Sequence, residues 1–440
     1  MKQILINLLR KISSDILATH EPTIIGVTGN VGKTSMRTAL VQFLSEFTEV
    51  GTNIENYNSE IGLPLSIIGV ENPGKNPLGW LSVLWQGWQK TLSKDSDFPK
   101  IWVLELGIDQ PGDMDFFVKD FLEFDVVVVG HVGKNPVHAE NFENRDELIH
   151  EKAKILRGLK PDGLLLVNGD DSYIKHIYRK RKNVMTFGFD DAVDVQAIEF
   201  ASTIEVDDSK TQWKKYHTSI VPQGRFKVVH KGSVIPFSLK YLVGKHQVYS
   251  ILPAIALGIA DGVNLVDISS KIQDFEPIKG RMQFMEGIKG SLLIDDSYNA
   301  APAATFAAVD TLDALDISES RKVAILGAMK EIGPDSGSVH ASLGRQLAKK
   351  VDLFIGVGEE MKDAVDAFRK YAKKSQESHH FDDSEQLASW VTDQITANDI
   401  ILVKGSQSTR MERVSVELMA NKRYRKDLIP RQSDYWLAKE

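Results

Sequence analysis

Residues 24–40 read IIGVTGNVGKTSMRTAL, a short apolar run followed by a glycine-containing loop and then by residues with helical spacing. The strict phosphate-loop pattern G-x-x-x-x-G-K-[ST] has glycine where this chain has Val27. The strand, the loop, the Gly-Lys-Thr triplet and the helix nevertheless agree with a phosphate-binding loop, because backbone N–H groups at a helix start bind phosphate oxygens. The alternative is a glycine-rich turn that carries a surface lysine. The nucleotide-binding candidates are Gly29, Asn30, Gly32, Lys33, Thr34 and Ser35.

The composition is that of an ordinary globular protein, since 42% of the 440 residues are hydrophobic and 26% are charged. This length exceeds what one hydrophobic core supports, so two or three domains are expected. The net charge of −7 gives no general electrostatic reason to bind nucleic acid. The absence of cysteine excludes disulfides, thiolate zinc sites and a cysteine nucleophile, and it fits a reducing compartment.

The N-terminal apolar run is interrupted by Arg10 and Lys11, and the glycine loop follows it closely. Both features argue against a secretory signal peptide. No apolar run reaches the ~20 residues of a membrane-spanning helix. We therefore predict a cytoplasmic protein.

Short apolar runs alternate with amphipathic segments, which predicts a mostly parallel, doubly wound α/β sheet. We expect an amphipathic helix over residues 1–21. A phosphate-loop ATPase domain is expected over 22–282, with an insertion at about 72–98 and a small antiparallel β addition at about 192–243. A Rossmann-like α/β domain is expected over 283–440, because each of its strands ends in a polar or glycine-bearing loop.

The insertion contains NPLGWLSVLWQGWQKTL (76–92), in which one helical stripe is formed by Leu81, Leu84, Trp85, Trp88 and Leu92. One interpretation is an interfacial membrane helix that acts together with the basic, amphipathic residues 2–17. The other, which we favour, is that the two helices pack on each other or on the ATPase domain.

Beyond the loop, eight motifs resemble, in order, those of the Mur ligase family, the ATP-dependent enzymes that join amino acids to peptidoglycan precursors. NYNSEIGLPLSIIG (56–69) resembles the Asn-rich segment of the branch that adds D-alanyl-D-alanine. The other seven are LELGIDQPGDM (104–114), GHVGKNPVHAENF (130–142), HEKAKIL (150–156), KGRMQFMEG (279–287), IDDSYNAAPAA (294–304), ILGAMKEIG (325–333) and LVKGSQSTRMERV (402–414). The resemblance extends over about residues 22–425.

This resemblance implies a magnesium site. Glu105 ends an apolar strand, where open α/β sheets bind ligands, and would ligate Mg²⁺ together with His138 and the hydroxyl of Thr34, with Ser35 as the alternative to Thr34. Lys152 would be carried as a carbamate and would complete the ligands, with Lys154 as an alternative assignment. Without the resemblance, the ordinary interpretation of Glu105 is an exposed charge at a strand end. His138 would be a core or surface histidine, and Lys152 a solvated lysine.

The resemblance also implies how the substrates are held. Lys33 and Arg281 would stabilise the charge on the transferred phosphate, and His138 and Lys152 complete the catalytic set. Further nucleotide contacts are implied at Gln247, Asp296 and Asn299, although Asp296 is also an ordinary helix-capping residue. Substrate contacts are implied at Asn58, Lys404 and Ser406.

The activity implied is an ATP-dependent ligase that forms an acyl phosphate and then an amide, using ATP and two Mg²⁺ ions. Its partners would be a carboxylate acceptor and an amino acid or dipeptide amine, without nucleic acid, and the protein would be a monomer. A folate- or polyglutamate-type ligase, a ligase with a lipid-linked acceptor, and a nucleotide-binding scaffold without activity are the alternatives. No guanine-reading N-K-x-D supports a GTPase.

Three departures from the family pattern bear on specificity. The domain that precedes the phosphate loop in this branch and holds the UDP-sugar is not seen in the ~23 residues before the loop. The family's H-N-x-x-N helix appears as His246, Gln247 and Ser250. Ala328 and Lys330 stand where the family has an acidic and an apolar residue, a difference that bears on which amine is selected.

Overall fold

The computed structural model forms two compact units. The first contains residues 1–198, 227–235 and 248–272, and the second contains 199–226, 236–247 and 273–440. Each unit has a core of buried apolar side chains. The residues described are 2–54, 57–92, 94–132, 141–178, 181–206, 220–273, 275–276, 278–315 and 320–437.

The first sheet has nine strands among the described residues. In chain order they are β1 (Thr23–Thr28), β2 (Val50–Thr52), β3 (Ile101–Glu105), β4 (Phe124–Val129), β5 (Leu159–Asn168), β6 (Val184–Gly188), β7 (Val195–Val206), β8 (Ile220–His230) and β9 (Ser233–Lys240). Their order across the sheet is β2-β3-β1-β4-β5-β6-β7-β8-β9. The pairs from β2 to β7 are parallel, which confirms the predicted fold class.

Strand β4 shows why the parallel part of the sheet was recognisable. Its sequence FDVVVV is buried at every position except the half-buried Asp125. Such continuous burial is typical of parallel strands covered on both faces. Strands β8 and β9 are joined by Lys231 and Gly232, whose φ values are 48° and 82°. A two-residue turn of this kind links antiparallel neighbours.

Helices follow most of these strands. They are α1 (Lys2–His20), α2 (Lys33–Ser45), α3 (Gly62–Ile68), α4 (Pro77–Thr91), α5 (Asp113–Val118), α6 (Arg145–Ala153), α7 (Lys175–Tyr178), α8 (Lys245–Ala260) and α9 (Leu265–Ile272). Asn76 and Asn144 begin α4 and α6, and each accepts hydrogen bonds from backbone N–H groups of the first turn. No described helix is both long and apolar enough to cross a bilayer.

Helices α1 and α4 pack on each other, as favoured from the sequence. A Cβ atom built on Gly87 would lie 2.6 Å from Ile12 Cγ2, so the two backbones approach closely at this glycine. The apolar stripe of α4 does not form this contact. Four of its five members are exposed and Leu84 is half-buried. The exposed members are Leu81, Trp85, Trp88 and Leu92.

The second unit is built on a six-stranded sheet with the order β10-β11-β15-β12-β13-β14. These strands are β10 (Gln283–Glu286), β11 (Leu292–Asp296), β12 (Arg321–Gly327), β13 (Leu353–Val357), β14 (Glu377–Phe381) and β15 (Asp399–Lys404). Only the β10–β11 pair is antiparallel. Because β15 lies between β11 and β12, the chain order reverses there, and ligands bind beyond the carboxyl ends of strands at such points.

The helices of the second unit are α10 (Pro302–Ala314), α11 (Ser336–Leu347), α12 (Met361–Tyr371), α13 (Ser384–Gln394), α14 (Glu412–Leu418), α15 (Arg425–Leu428) and α16 (Asp434–Leu437). Helix α10 begins with Pro302, whose fixed φ and missing N–H suit a first helical position. Asp383 begins α13 and accepts hydrogen bonds from the N–H groups of Glu385 and Gln386.

Candidate active site

The glycine loop has the backbone of a phosphate-binding loop. Gly29 has φ 151° and lies so close to Gly130 that an added Cβ would be 3.3 Å from its Cα. Gly32 precedes α2 with φ 81°, a left-handed conformation that favours glycine. The residue before α2, Gly32, makes no side-chain hydrogen bond to the first turn, and the first N–H groups of a helix have no partner within the helix. This arrangement suits an anion such as a phosphate.

The loop is fastened to the end of β4. The N–H groups of Asn30 and Val31 donate to His131 O over 2.8 and 3.4 Å, and Asn30 Nδ2 donates to Val132 O over 3.1 Å. The buried Asn30 Oδ1 has no hydrogen-bond partner among the described residues. Asn30 therefore holds the loop in place, and Ser35 lies half-buried on the first turn of α2.

Thr34 and Glu105, two of the predicted magnesium ligands, lie together. Thr34 Oγ1 donates to Glu105 Oε1 over 3.3 Å, and Arg37 lies 3.7 Å from Glu105 Oε2. The backbone of Glu105 is held by Asn53, whose Oδ1 accepts from Glu105 N over 2.7 Å and whose Nδ2 donates to Glu105 O over 3.1 Å. A hydroxyl and a carboxylate oxygen at this distance are the hard donors that Mg²⁺ prefers.

The structure describes the other predicted site residues of the first unit less completely. Within the described ranges, no group of three or more histidine and carboxylate side chains that could hold a metal is present. His138 lies outside the residues that the structure describes. Asn58 lies beside the loop that follows Glu105, since Gly107 N donates to Asn58 O over 3.3 Å.

Two lysines meet at the phosphate loop. Lys33 Nζ and Lys152 Nζ both donate to Gly29 O, over 3.1 and 3.2 Å. Burial, followed by the charge of Lys33, holds the pKa of Lys152 well below its usual value, against the opposing effects of Asp109 and Glu151. An amine in these surroundings is more readily neutral and nucleophilic than a surface lysine.

The alternative assignment, Lys154, has different surroundings. Its ammonium forms ion pairs with Asp115 and Glu151, at 2.6 and 2.7 Å. Lys154 therefore lies in a network of ion pairs, whereas Lys152 donates to the loop carbonyl of Gly29.

In the second unit, the predicted residues gather at the carboxyl ends of β11 and β15. Lys404 Nζ donates to Asp296 Oδ2 over 2.7 Å and to Asn299 O over 2.9 Å, and both members of the ion pair are buried. Ser406 Oγ accepts from Lys330 N over 2.9 Å and donates to Ala300 O over 3.3 Å. The motifs that contain these residues therefore form one polar cluster.

Arg281 is held against an aromatic ring in the same unit. Its guanidinium lies 4.5 Å from the centroid of Tyr298, and its buried Nε has no hydrogen-bond partner among the described residues. Arg431 donates to Tyr298 O over 2.9 Å and forms an ion pair with Glu412 at the same distance. Arg431 and Glu412 were not predicted as site residues, and only their fold places them here.

Burial also shifts the pKa values of two further groups in this unit, Asp295 and His246. Burial raises the pKa of Asp295 to about 6, although hydrogen bonds from Ser415 and Ser297 oppose the shift. Burial lowers the pKa of His246 to about 4, so this ring is neutral near pH 7. Gln247 Oε1 accepts from Val243 N and Gly244 N, which commits its carbonyl to the start of α8 and leaves its amide donor for a ligand.

The departure at Lys330 also has a structural partner. Lys330 Nζ forms an ion pair with Glu360 at 2.5 Å. Arg37, Asn53 and Arg431 are the main contributors that sequence patterns missed, because each acts through contacts with residues distant in the chain.

Comparison with known proteins agrees with this geometry. Residues 86–258 match the Mur ligase middle domain, and residues 280–407 match the Mur ligase, glutamate ligase domain. The chain is 24% identical over 413 residues to UDP-N-acetylmuramoyl-tripeptide--D-alanyl-D-alanine ligase of Bacillus subtilis, covering 93% of this chain and 79% of the relative. The enzyme of that name from Escherichia coli is 25% identical over 410 residues, covering 90% and 77%.

Solved structures show the same fold. The crystal structure of MurF from Acinetobacter baumannii aligns with a TM-score of 0.73 at 24% identity, covering 94% of this chain and 80% of that one. MurF ligase from Thermotoga maritima in complex with ADP aligns with a TM-score of 0.72 at 24% identity, covering 96% and 84%. Because the two matching domains together span more than half of its residues, the chain belongs to the Mur ligase family.

Proposed function

We propose that this protein is an ATP-dependent, ADP-forming ligase that adds D-alanyl-D-alanine to a UDP-N-acetylmuramoyl-tripeptide-like acceptor in peptidoglycan synthesis. The class of reaction follows from the family, and the relatives named above share this activity. The observation that carries the proposal for this chain is the phosphate loop itself, with Lys33 and Lys152 at its carbonyl and Thr34 beside Glu105. A nucleotide-binding protein without ligase activity would have no need of Lys152 and Glu105 in these positions.

The reaction consists of two displacements. An acceptor carboxylate attacks the γ-phosphorus of ATP, so that an acyl phosphate forms and ADP leaves. The amine of the dipeptide then attacks the acyl carbon, and phosphate leaves with the former carboxylate oxygen. Both reactants of the first step are anions, so cations must offset their repulsion. Lys33 supplies one at the loop, and we assign a second to Arg281, which Tyr298 holds in place.

Thr34 and Glu105 are the residues that we propose would hold magnesium. When bound, Mg²⁺ would offset negative charge on the nucleotide phosphates. Arg37 and Asn53 fix the carboxylate and the backbone of Glu105, so their part is to orient this ligand. His138 stays a proposed further ligand.

Lys152 is proposed to carry a carbamate. Its Nζ is buried beside the Lys33 ammonium, where an anionic carbamate would be paired and two ammonium groups repel. Incubation with ¹³C-bicarbonate should give a carbamate resonance by NMR that is lost in Lys152→Gln and kept in Lys154→Gln. A resonance that is kept in Lys152→Gln and lost in Lys154→Gln would move the assignment by two positions.

The test of the function is ADP release with Mg²⁺-ATP and D-alanyl-D-alanine, with and without UDP-N-acetylmuramoyl-tripeptide. We expect turnover that needs both substrates and is lost in Lys33→Ala, with the exposed Lys119→Ala as the matched control. ATP binding without turnover would contradict the acceptor and direct the search to lipid-linked or polyglutamate-type acceptors. No ATP binding would contradict the ligase assignment itself. We also propose that the enzyme acts as a monomer.

A further inference from the structure

An apolar helix face is exposed in the first unit. It consists of side chains at helical spacing on α4 and at its end, and their exposed fractions range from 47% to 74%. The indole rings of Trp85 and Trp88 lie 5.1 Å apart within it. We call this set the Leu–Trp face, and its members are Leu78, Leu81, Trp85, Trp88 and Leu92.

The opposite side of α4 fixes this face in its outward orientation. Val83 and Gly87 are buried, and the close approach of Gly87 to Ile12 leaves no room for a larger side chain. Lys90 Nζ donates to Ile68 O over 2.8 Å, and Thr19 Oγ1 donates to Thr91 O over 3.3 Å. Rotating α4 to bury the Leu–Trp face would break these contacts.

The net charge of helices α1 and α4 is opposite in sign to the net charge of the whole chain. Helix α4 contains no acidic residue, and α1 contains Asp15 alone. The two helices together carry four basic residues against this one acidic residue, a net charge of +3 in a chain of net charge −7. The basic residues are Lys2, Arg10, Lys11 and Lys90.

Helix α1 also exposes apolar and basic side chains. Ile4 and Leu8 are 65% and 45% exposed, and Lys2 and Lys11 are exposed on the same helix. Exposed leucine and tryptophan combined with lysine are the features of helices that lie in a bilayer interface. Tryptophan suits this depth because its ring is apolar and its N–H can bond to headgroups or water.

We propose that α1 and α4 together form a peripheral docking surface for an anionic lipid bilayer. The Leu–Trp face would enter the boundary between headgroups and acyl chains, and the exposed Lys2 and Lys11 of α1 would bind lipid phosphates. A second copy of this chain fits less well, because it would bring the same net positive charge against this surface. The inference does not rest on the proposed function, since the lipid would be the platform and not the substrate.

The test is co-sedimentation of the full chain with phosphatidylcholine vesicles that contain or lack phosphatidylglycerol. We expect binding to the anionic vesicles that weakens as salt is raised. The variant Leu81→Gln/Trp85→Gln should bind at least about tenfold more weakly than wild type, because apolar burial and charge both contribute to interfacial binding. Val266→Gln is the matched control, because Val266 is 60% exposed on α9 of the same unit.

Three results would overturn the proposal. The first is no sedimentation of folded wild-type protein with anionic vesicles. The second is equal binding by Leu81→Gln/Trp85→Gln, which removes only exposed side chains and should keep the wild-type circular dichroism spectrum. The third is a concentration-dependent dimer in light scattering that this double variant abolishes, which would assign the face to contact between copies. ADP release in solution should be the same for wild type and variant, so failure here leaves the ligase proposal untouched.

Discussion

The position of the Glu105 carboxylate is fixed by neighbours that sequence patterns did not reveal. Its strand places it at the carboxyl end of β3, and Thr34 lies 3.3 Å away. Asn53 bonds to both its N–H and its carbonyl, so the backbone that carries the carboxylate is fixed on both sides. The LELG sequence singled out Glu105 as the proposed magnesium ligand. The hydrogen bonds from Asn53 depend on the pairing of β2 with β3, which local sequence does not encode.

Glu105→Gln should therefore lower activity through Mg²⁺ and leave the fold intact. The amide keeps the shape of the side chain but loses the charge that a divalent cation requires. We expect kcat/KM at low Mg²⁺ to fall about 100-fold, with partial recovery as Mg²⁺ is raised. The measurement is ADP release across a Mg²⁺ titration, with the exposed Glu123→Gln as control. An equal loss at every Mg²⁺ concentration would mean that Glu105 does not bind the metal.

Asp295 yields a prediction on pH, because burial raises its pKa from 3.8 to about 6. Between these values the folded chain holds a proton that the unfolded chain has released. The contribution of this group to stability is therefore present at low pH and is lost as pH rises to about 6, by roughly 3 kcal/mol in all. Asp295→Asn should abolish this loss.

The measurement is the free energy of unfolding by urea at several pH values, taken as the difference between wild type and Asp295→Asn. Taking the difference removes the contributions of other titrating groups, including His246, whose lowered pKa acts in the opposite direction. A difference that does not change between pH 4 and pH 6 would contradict the raised pKa.

At the scale of elements, the packing of α1 on α4 rests on one small residue. Gly87→Ala would place a methyl group 2.6 Å from Ile12 Cγ2 and 3.3 Å from Ile68. The gain in helix propensity is about 1 kcal/mol, and overpacking costs about 1–3 kcal/mol, so we expect net destabilisation. Urea unfolding should show this loss, and Ser82→Ala on the exposed side should show none.

A second substitution tests whether crowding against Ile12 causes the destabilisation expected for Gly87→Ala. Ile12→Ala removes the atoms that the new methyl group meets, so adding Gly87→Ala to it should destabilise less than adding it to wild type. If Gly87→Ala lowered the free energy of unfolding equally in both backgrounds, contact with Ile12 would not be the cause of the destabilisation.

Elements with local signals were predicted well from the sequence. The Gly-Lys-Thr loop, the strand ends at Glu105 and Asp296, and the alternation of strands and helices all follow from residues close together in the chain. Contacts across the chain were not predicted, because nothing local specifies that Lys404 pairs with Asp296 or that Arg431 reaches Tyr298. Helix α4 shows a related limit. Its pattern identified an apolar stripe, but periodicity alone does not say whether that stripe meets protein or lipid.

At the scale of the whole molecule, the chain divides into two units with separate apolar cores. Phe117 lies in the core of the first unit and Phe354 in that of the second, and both are almost fully buried. A core that is complete within its own unit can unfold as one cooperative step. We therefore expect two transitions in calorimetry of the intact protein.

Single core substitutions should identify those transitions. Phe117→Ala and Phe354→Ala each remove a buried ring, at a cost of about 3–5 kcal/mol to the unit that contains it. We expect Phe117→Ala to lower the midpoint of one transition and Phe354→Ala to lower the other. Val266→Ala, at an exposed position, should move neither. If both phenylalanine variants lowered one shared transition by the same amount, the two cores would form a single folding unit.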